Sequence, residues 1–236
     1  EYRAAKKALA HLPPFHFPIA FPEVFLRERS GFDVILGNPP WEEATLEELA
    51  FWARHEPGLR GLTARQKEAR QTVLRRERPD MVTLFEEELA VADAMRNALT
   101  TGPYPGMGTG DPDLYKAFCW RFWNLISAEG GWIGAVLPRS ALSAKGTAEF
   151  RLEVFKAAEP VGITMLLNKA GWVFDEAEHR YTIGLCAISR RPPRGNAVRL
   201  LGPFASRERF ELGKSKPPAE FTGEEVMGWT DSASLP

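Results

Sequence analysis

Cysteine is nearly missing from this chain: only Cys119 and Cys186 are present, which excludes a disulfide framework and a multi-cysteine metal site. Cys186 sits in an apolar run and reads as a small buried side chain. Histidine is sparse too, with four residues scattered along the sequence. His11 and His16 have no cysteine cluster beside them, and His179 is a single imidazole near Asp175, Glu176 and Glu178, so no metal centre is expected. An excess of charge is also lacking, since 30 basic and 31 acidic residues leave a formal net charge of -1. That excludes a nucleic-acid binder relying on bulk positive charge, although a local basic surface would suffice for binding. No apolar run is long enough to cross a bilayer and the first residues do not resemble a signal peptide, so a cytoplasmic protein without a membrane partner is expected. There is no internal repeat, no convincing serine or cysteine nucleophile arrangement, and no glycine between Glu1 and Ser30.

What is present suits one substantial domain. The chain has 236 residues, 44% of them hydrophobic, and seven tryptophans, enough to bury a sizeable core. The apolar run Asp33 to Leu36 is strongly β-compatible and predicts a central parallel strand buried on both faces. Residues 42 to 100 form a long, charged, mainly helical stretch in which Met81, Leu84, Phe85, Leu89, Ala92, Met95 and Leu99 recur at helical spacing, with Asp80 as N-cap. The segment Thr101 to Gly110 is rich in glycine and proline and predicts a loop. Asp111-Pro112 opens a further helix with Leu114, Phe118, Phe122 and Leu125 on one face, and Gly130-Gly131 ends it. Trp132 to Leu137 follows as a strand, about Thr147 to Ala158 as a helix, and Val161 to Leu167 and Tyr181 to Ile188 as two more strands. Beyond Ser189 the pattern weakens, and residues 191–236 read as an irregular extension or as the start of a further module.

Asn38-Pro39-Pro40-Trp41 follows the first strand directly. Two consecutive prolines lack N–H groups and have restricted φ, so the segment cannot continue as a helix or a central strand. At the carboxyl end of a strand, where open α/β sheets put their ligands, such a loop holds a side-chain amide, a free carbonyl and an indole face in fixed relation. That arrangement suits a flat, hydrogen-bonding substrate such as a nucleobase; Asn-Pro and Pro-Pro also mark ordinary turns, and Trp41 can equally pack on the core.

Longer ordered matches surround the loop. They run from His16-Phe17-Pro18-Ile19-Ala20-Phe21-Pro22-Glu23-Val24-Phe25 through Gly31 to Trp41, return at Asp113-Leu114-Tyr115-Lys116-Ala117-Phe118 and at Gly130 to Ser140, and end in Trp172-Val173-Phe174-Asp175 with Tyr181 to Ile188 behind. Over roughly residues 16 to 190 the sequence resembles the N6-adenine DNA methyltransferases of the large fused restriction-modification and phage-defence type. The resemblance implies an α/β fold, a partial Rossmann-like methyltransferase sheet with a helical insertion at about 42–110 and a C-terminal antiparallel strand, occupying residues 1–190. It implies S-adenosyl-L-methionine as cofactor, double-stranded DNA as substrate, and site-specific methylation of adenine N6, with a nuclease or other defence activity as a further partner. Residues 191–236 would then begin a target-recognition region.

Within that resemblance the loop's chemistry can be stated. The lone pair of adenine N6 is delocalised into the ring, so the amine is a poor nucleophile; Asn38 Oδ1 and the Pro39 carbonyl, accepting its two N–H bonds, would favour a less conjugated and more positive nitrogen. A rigid Pro39-Pro40 preorients these acceptors. Trp41 would stack on the base once it has left the duplex, and Phe174 matches by position the family's second aromatic, on the opposite face; ordinary core packing is its other reading. Asp33, Tyr115 and Pro138 fall where the family lines the cofactor cavity, and for Asp33 a tether to the loop backbone is the competing role. The stretch Arg60 to Arg78 carries seven basic residues against Glu68 and Glu77; Arg65, Arg70, Arg75 and Arg76 are its candidate phosphate contacts, the alternative being a solvated surface.

One family feature has no counterpart here. A glycine-rich turn ahead of the catalytic loop, followed by an acidic residue for the donor ribose, would receive the cofactor, and Glu1 to Ser30 holds no glycine. The chain therefore resembles the later part of a catalytic domain, with the upstream methyltransferase half and target-recognition region expected elsewhere in the same polypeptide or in a separate subunit. Alternatives are a catalytically incomplete DNA-binding or specificity subunit and a structural, protein-interaction remnant.

Overall fold

Short apolar runs of the chain pair into one mixed sheet in the computed structural model, which describes residues 15–191, 195 and 197–235. The strands are β1 (Val34–Gly37), β2 (Gly131–Pro138), β3 (Val161–Leu167), β4 (Thr182–Arg190), β5 (Ala197–Phe204) and β6 (Ala219–Thr222), in the order β1-β2-β4-β3-β5-β6. β1 is parallel to β2 and β3 to β5; β4 is antiparallel to both of its neighbours, and β6 is antiparallel to β5. The helices are α1 (Phe17–Ala20), α2 (Pro22–Phe25), α3 (Glu48–His55), α4 (Ala64–Glu77), α5 (Pro79–Thr101), α6 (Leu114–Leu125), α7 (Arg139–Ser143), α8 (Ala148–Ala157), α9 (Arg207–Gly213) and α10 (Gly223–Gly228). The architecture is the expected α/β one, with a helical insertion between β1 and β2 and an antiparallel strand late in the sheet. None of the described helices is long and apolar enough to cross a membrane.

Register explains where the core sits. Side chains alternate across a strand, and the pairings Ile133↔Ile188, Ala135↔Cys186, Val161↔Ile188 and Ile163↔Cys186 put these residues on one face of the sheet. That face is buried under Tyr115, Cys119 and Trp123 of α6 and Phe150, Val154 and Phe155 of α8. Each fully buried large apolar side chain contributes about 1.5–3 kcal/mol.

β1 departs from the expected central, doubly buried strand. It pairs only with β2 and forms one end of the sheet, and Val34 and Leu36 are 55% and 80% exposed. Ile35, on the other face, packs against the main core. Apolar composition records what a strand can bury, and it carries no information about which neighbours lie beside it. Gly37 ends β1 beneath the Phe122 ring of α6, whose nearest carbon would stand 2.8 Å from an added Cβ, so that ring would have to shift for a larger residue.

In the insertion, Thr63 and Gln66 form a reciprocal capping box that starts α4. Phe51 and Trp52 of α3 are buried with Leu59, Leu74 and Met81, with Phe85 packed against them. Leu99, at the other end of α5, joins Met107 and Ala117 in a separate cluster. The helical stripe on α5 is therefore buried at its ends, while Leu84 and Met95 remain exposed between them. Asp80 is not the N-cap of α5: Arg78 holds that position, Pro79 opens the helix, and the Asp80 carboxylate pairs with the Arg78 guanidinium. Likewise α6 starts at Leu114 after Asp113, not at Asp111-Pro112; the Asp111 carbonyl and Asp113 carboxylate instead hold the buried Lys116 ammonium.

The tail is more regular than the sequence suggests. Residues beyond Ser189 add β5 and β6 to the sheet, with Val198 and Leu200 opposite Phe221 and Ala219. Gly202-Pro203 lies inside β5, close to the register shift in its pairing with β3, and this interruption hid the strand from pattern reading.

Candidate functional site

Asn38-Pro39-Pro40-Trp41 leaves the carboxyl end of β1, as its sequence position requires. Pro39 is buried, whereas Asn38 and Pro40 are exposed. Among the described residues, neither the Asn38 side-chain amide nor the Pro39 carbonyl has a hydrogen-bond partner. Both oxygens are thus free acceptors on a backbone stiffened by two rings.

Trp41 is half-buried and anchored to the sheet, its Nε1 donating to the Val136 carbonyl of β2 at 3.4 Å. Its ring meets Phe174 edge-on at 6.2 Å and 81°, and Tyr181 at 6.1 Å and 76°. Edge-to-face contact places the positive ring edge against the negative face. This geometry is the packing alternative for Phe174, in place of a ring that covers the far face of a base stacked on Trp41. A sandwich needs parallel rings with the base between them, and these two rings are nearly perpendicular and already in contact. Phe174 braces Trp41 instead, together with Tyr181, a ring the sequence reading did not single out.

A cavity of about 790 Å³ opens beside this wall, lined by Trp41, Tyr115, Pro138, Ser140 and Tyr181 on the sheet side and by Glu43, Phe51, Arg54 and Arg60 of the insertion on the other. Its size falls in the range that accepts a small organic ligand. Asn38 and Phe174 are not part of its lining. Tyr115 is buried on α6, and burial pushes its phenol well above the ordinary value, so the hydroxyl stays protonated at neutral pH. That hydroxyl lies beside Ser140 and Asp113, outside ideal hydrogen-bond geometry to either.

Of the three residues matched to a cofactor cavity, Tyr115 and Pro138 do reach this site. Asp33 does not: it precedes β1, at the end remote from the loop, and its carboxylate is held by Arg27 at 2.9 Å and Arg29 at 3.4 Å. Two of the three matched residues thus line the cavity, and the third lies outside it.

The arginines of α4 divide into two pairs. Arg70 is bound by Glu56 at 2.6 Å and lies 3.6 Å from Glu77, and Arg75 is bound by Glu48 of α3. These ion pairs tie the insertion together and occupy the guanidinium groups. Arg65 and Arg76 are exposed and form no ion pair among the described residues. Eleven positions apart on one helix, they project to the same side. In the DNA-binding role proposed below, Arg65→Ala and Arg76→Ala should each flatten the plot of log affinity against log salt by about 0.9. Arg70→Ala and Arg75→Ala should leave that slope unchanged; titration of a DNA duplex at several salt concentrations measures it.

Asn168 is the residue that sequence reasoning missed. Fully buried directly after β3, it is a polar residue at the end of an apolar run, and that was its only signal.

Solved structures give further comparisons. The fold resembles a modification subunit of a putative type I restriction enzyme from Vibrio vulnificus YJ016, at 16% sequence identity and a TM-score of 0.46, over 86% of this chain and 36% of that one. It also resembles a type I restriction-modification system methyltransferase subunit from Streptococcus thermophilus, at 13% identity and a TM-score of 0.43, over 89% and 38% of the two chains. A third likeness is to the protein of a DrdV–DNA complex, at 16% identity and a TM-score of 0.39, over 79% of this chain and 16% of that one. The chain thus spans well under half the length of each of these proteins. No protein-family model matches the chain, and no curated protein does.

Proposed function

We propose that this chain supplies the seat of the nucleophile in a site-specific DNA adenine N6-methyltransferase that draws its methyl group from S-adenosylmethionine and works within a larger restriction-modification or defence enzyme. The observation that carries the reading is the pair of unpartnered acceptors, Asn38 Oδ1 and the Pro39 carbonyl, on a diproline loop next to an aromatic-walled cavity.

Adenine N6 lies inside the duplex stack, so the target base must leave it, at a cost of a few kcal/mol. Stacking on Trp41 returns roughly 1 to 3 kcal/mol of that. With the ring on the indole, Asn38 and Pro39 accept the two N–H bonds of the exocyclic amine. As the amine loses conjugation and gains positive charge, those two contacts strengthen, which lowers the barrier rather than merely tightening binding. The acceptors need no reorganisation because the loop is already rigid. Arg65 and Arg76 offer phosphate contacts on double-stranded DNA from the insertion side. The upstream methyltransferase half, the target-recognition region and any nuclease belong to the rest of the enzyme in this reading.

Trp41→Ala is the informative variant. With the methylated position mapped by labelled methyl and 2-aminopurine placed there, stacking on the indole should keep its fluorescence low in the wild-type complex. Trp41→Ala should bind the duplex within about threefold of wild type, since phosphate contacts dominate affinity, and raise that fluorescence several-fold because the base has lost its stacking partner. Unchanged fluorescence would remove Trp41 from the base-binding role.

A further inference from the structure

We infer that Asn168 is the positioning residue of the aromatic wall, holding Phe174 and Tyr181 against Trp41; what the wall binds rests on the function proposed above, and how it is held does not. Phe174 and Tyr181 belong to a long connection between β3 and β4 that contains no strand and only one short helical turn. A loop of that length has many conformations, so rings at its far end stay in place only where their backbone is bound.

Asn168 provides the bonds. Its Oδ1 accepts the N–H groups of Val173 and Phe174, each at 3.1 Å, and its Nδ2 donates to the Phe174 carbonyl at 2.9 Å. The carbonyls of Ala177 and Glu178 stand at 3.4 and 3.5 Å from the same nitrogen. Its backbone N–H donates to the Tyr181 carbonyl at 2.9 Å. Both peptide groups of Phe174 are thereby bound to one side chain, which fixes the direction of the Phe174 Cα–Cβ bond, and the main chain of the same residue fixes Tyr181. Those two rings are the ones in edge-on contact with Trp41. The amide is fully buried, so no water can replace its bonds without opening the loop. The asparagine amide supplies one acceptor and one donor group in this geometry at neutral pH.

The test separates the holding of the wall from its use. In the chain itself, proton NOEs between the Trp41 indole and the Phe174 ring should be present in wild type and in the control Asn97→Ala, and absent in Asn168→Ala, whereas those to Tyr181, held through the backbone N–H of residue 168, should survive. Should that variant fail to fold, Asn168→Asp fills the same volume. Its protonated acid can donate to the Phe174 carbonyl while its other oxygen accepts, so the Phe174 NOEs should return as pH falls and vanish as the carboxylate forms. Phe174 contacts that persist in both variants at neutral pH overturn the inference. In the DNA-bound enzyme, Asn168→Ala should change the 2-aminopurine signal in the same direction as Phe174→Ala and have no further effect when added to it. Additive changes would show that it acts independently of that ring and would overturn the inference as well. If the Phe174 NOEs vanish with Asn168 but neither Trp41→Ala nor Phe174→Ala changes the 2-aminopurine signal, the positioning role stands and the proposed use of the wall fails.

Discussion

Arg151→Met should destabilise the fold by about 3–5 kcal/mol, the sum over the buried carbonyls that lose their donor, an expected fall in melting temperature of roughly 10 °C for a domain of this size. Arg151 lies on α8 and is 3% exposed. Its Nε donates to the Ala233 carbonyl at 3.0 Å, Nη1 to the Ala141 carbonyl at 3.1 Å and to Thr147 Oγ1, and Nη2 to the carbonyls of Ala144 at 2.9 Å and Ser232 at 2.7 Å. No carboxylate pairs with it among the described residues. Burial pulls the guanidinium down to about 10, which still leaves it charged at neutral pH, with oxygen dipoles as its compensation. Methionine keeps apolar volume and supplies no donor, so the carbonyls are left buried and unpaired at about 1–3 kcal/mol for each that water cannot reach. Because these bonds join α7 to residues 232–233, the loss should spread to the turn after Pro138 that lines the cavity. Urea denaturation of wild type and variant measures it. A change below about 1 kcal/mol, the range of ordinary surface substitutions, would mean that the cluster contributes little.

The second large effect is on chemistry. In the proposed reaction Asn38→Ala removes one of two acceptors offered to the amine, and loss of a single preorganised hydrogen-bonding group of this kind lowers kcat by about 100- to 1000-fold. The effect should fall on kcat, with KM for DNA nearly unchanged, because the contact matters most as positive charge grows on the nitrogen. Stability should hardly move, since Asn38 is exposed and its side chain has no hydrogen-bond partner among the described residues. That contrast with Arg151→Met makes the pair diagnostic: one variant weakens the fold and keeps the proposed reactive groups, the other does the reverse.

Several parts of this account were legible in the sequence, and particular residues explain why others were not. The strands around Ile133, Ile163 and Ile188 and the helix bearing Tyr115 and Trp123 announce themselves by apolar periodicity, because each buries one face in a single core. β1 was found but misplaced, since Val34 and Leu36 read as buried on composition and are exposed on the sheet's end strand. β5 was hidden by Gly202-Pro203 within it. At the site, Asn38 to Trp41 stood out because two prolines and an amide after a strand restrict the backbone in one way. Partner choice was not legible: nothing in the order of residues says that Arg70 and Arg75 are taken up by Glu56 and Glu48 while Arg65 and Arg76 stay free. Nor does it say that Phe174 meets Trp41 edge-on, an orientation set by Asn168 and the long connection it closes.

The most direct test of the central claim is the identity of the methylated nucleoside. The enzyme containing this chain is incubated with duplex DNA and S-adenosylmethionine labelled in its methyl group, and the DNA is digested and resolved into nucleosides, for wild type and Asn38→Ala. The account predicts label in N6-methyldeoxyadenosine from wild type and about a hundredfold less from the variant. Label in a cytosine product, or equal labelling of adenine by the two proteins, would contradict it.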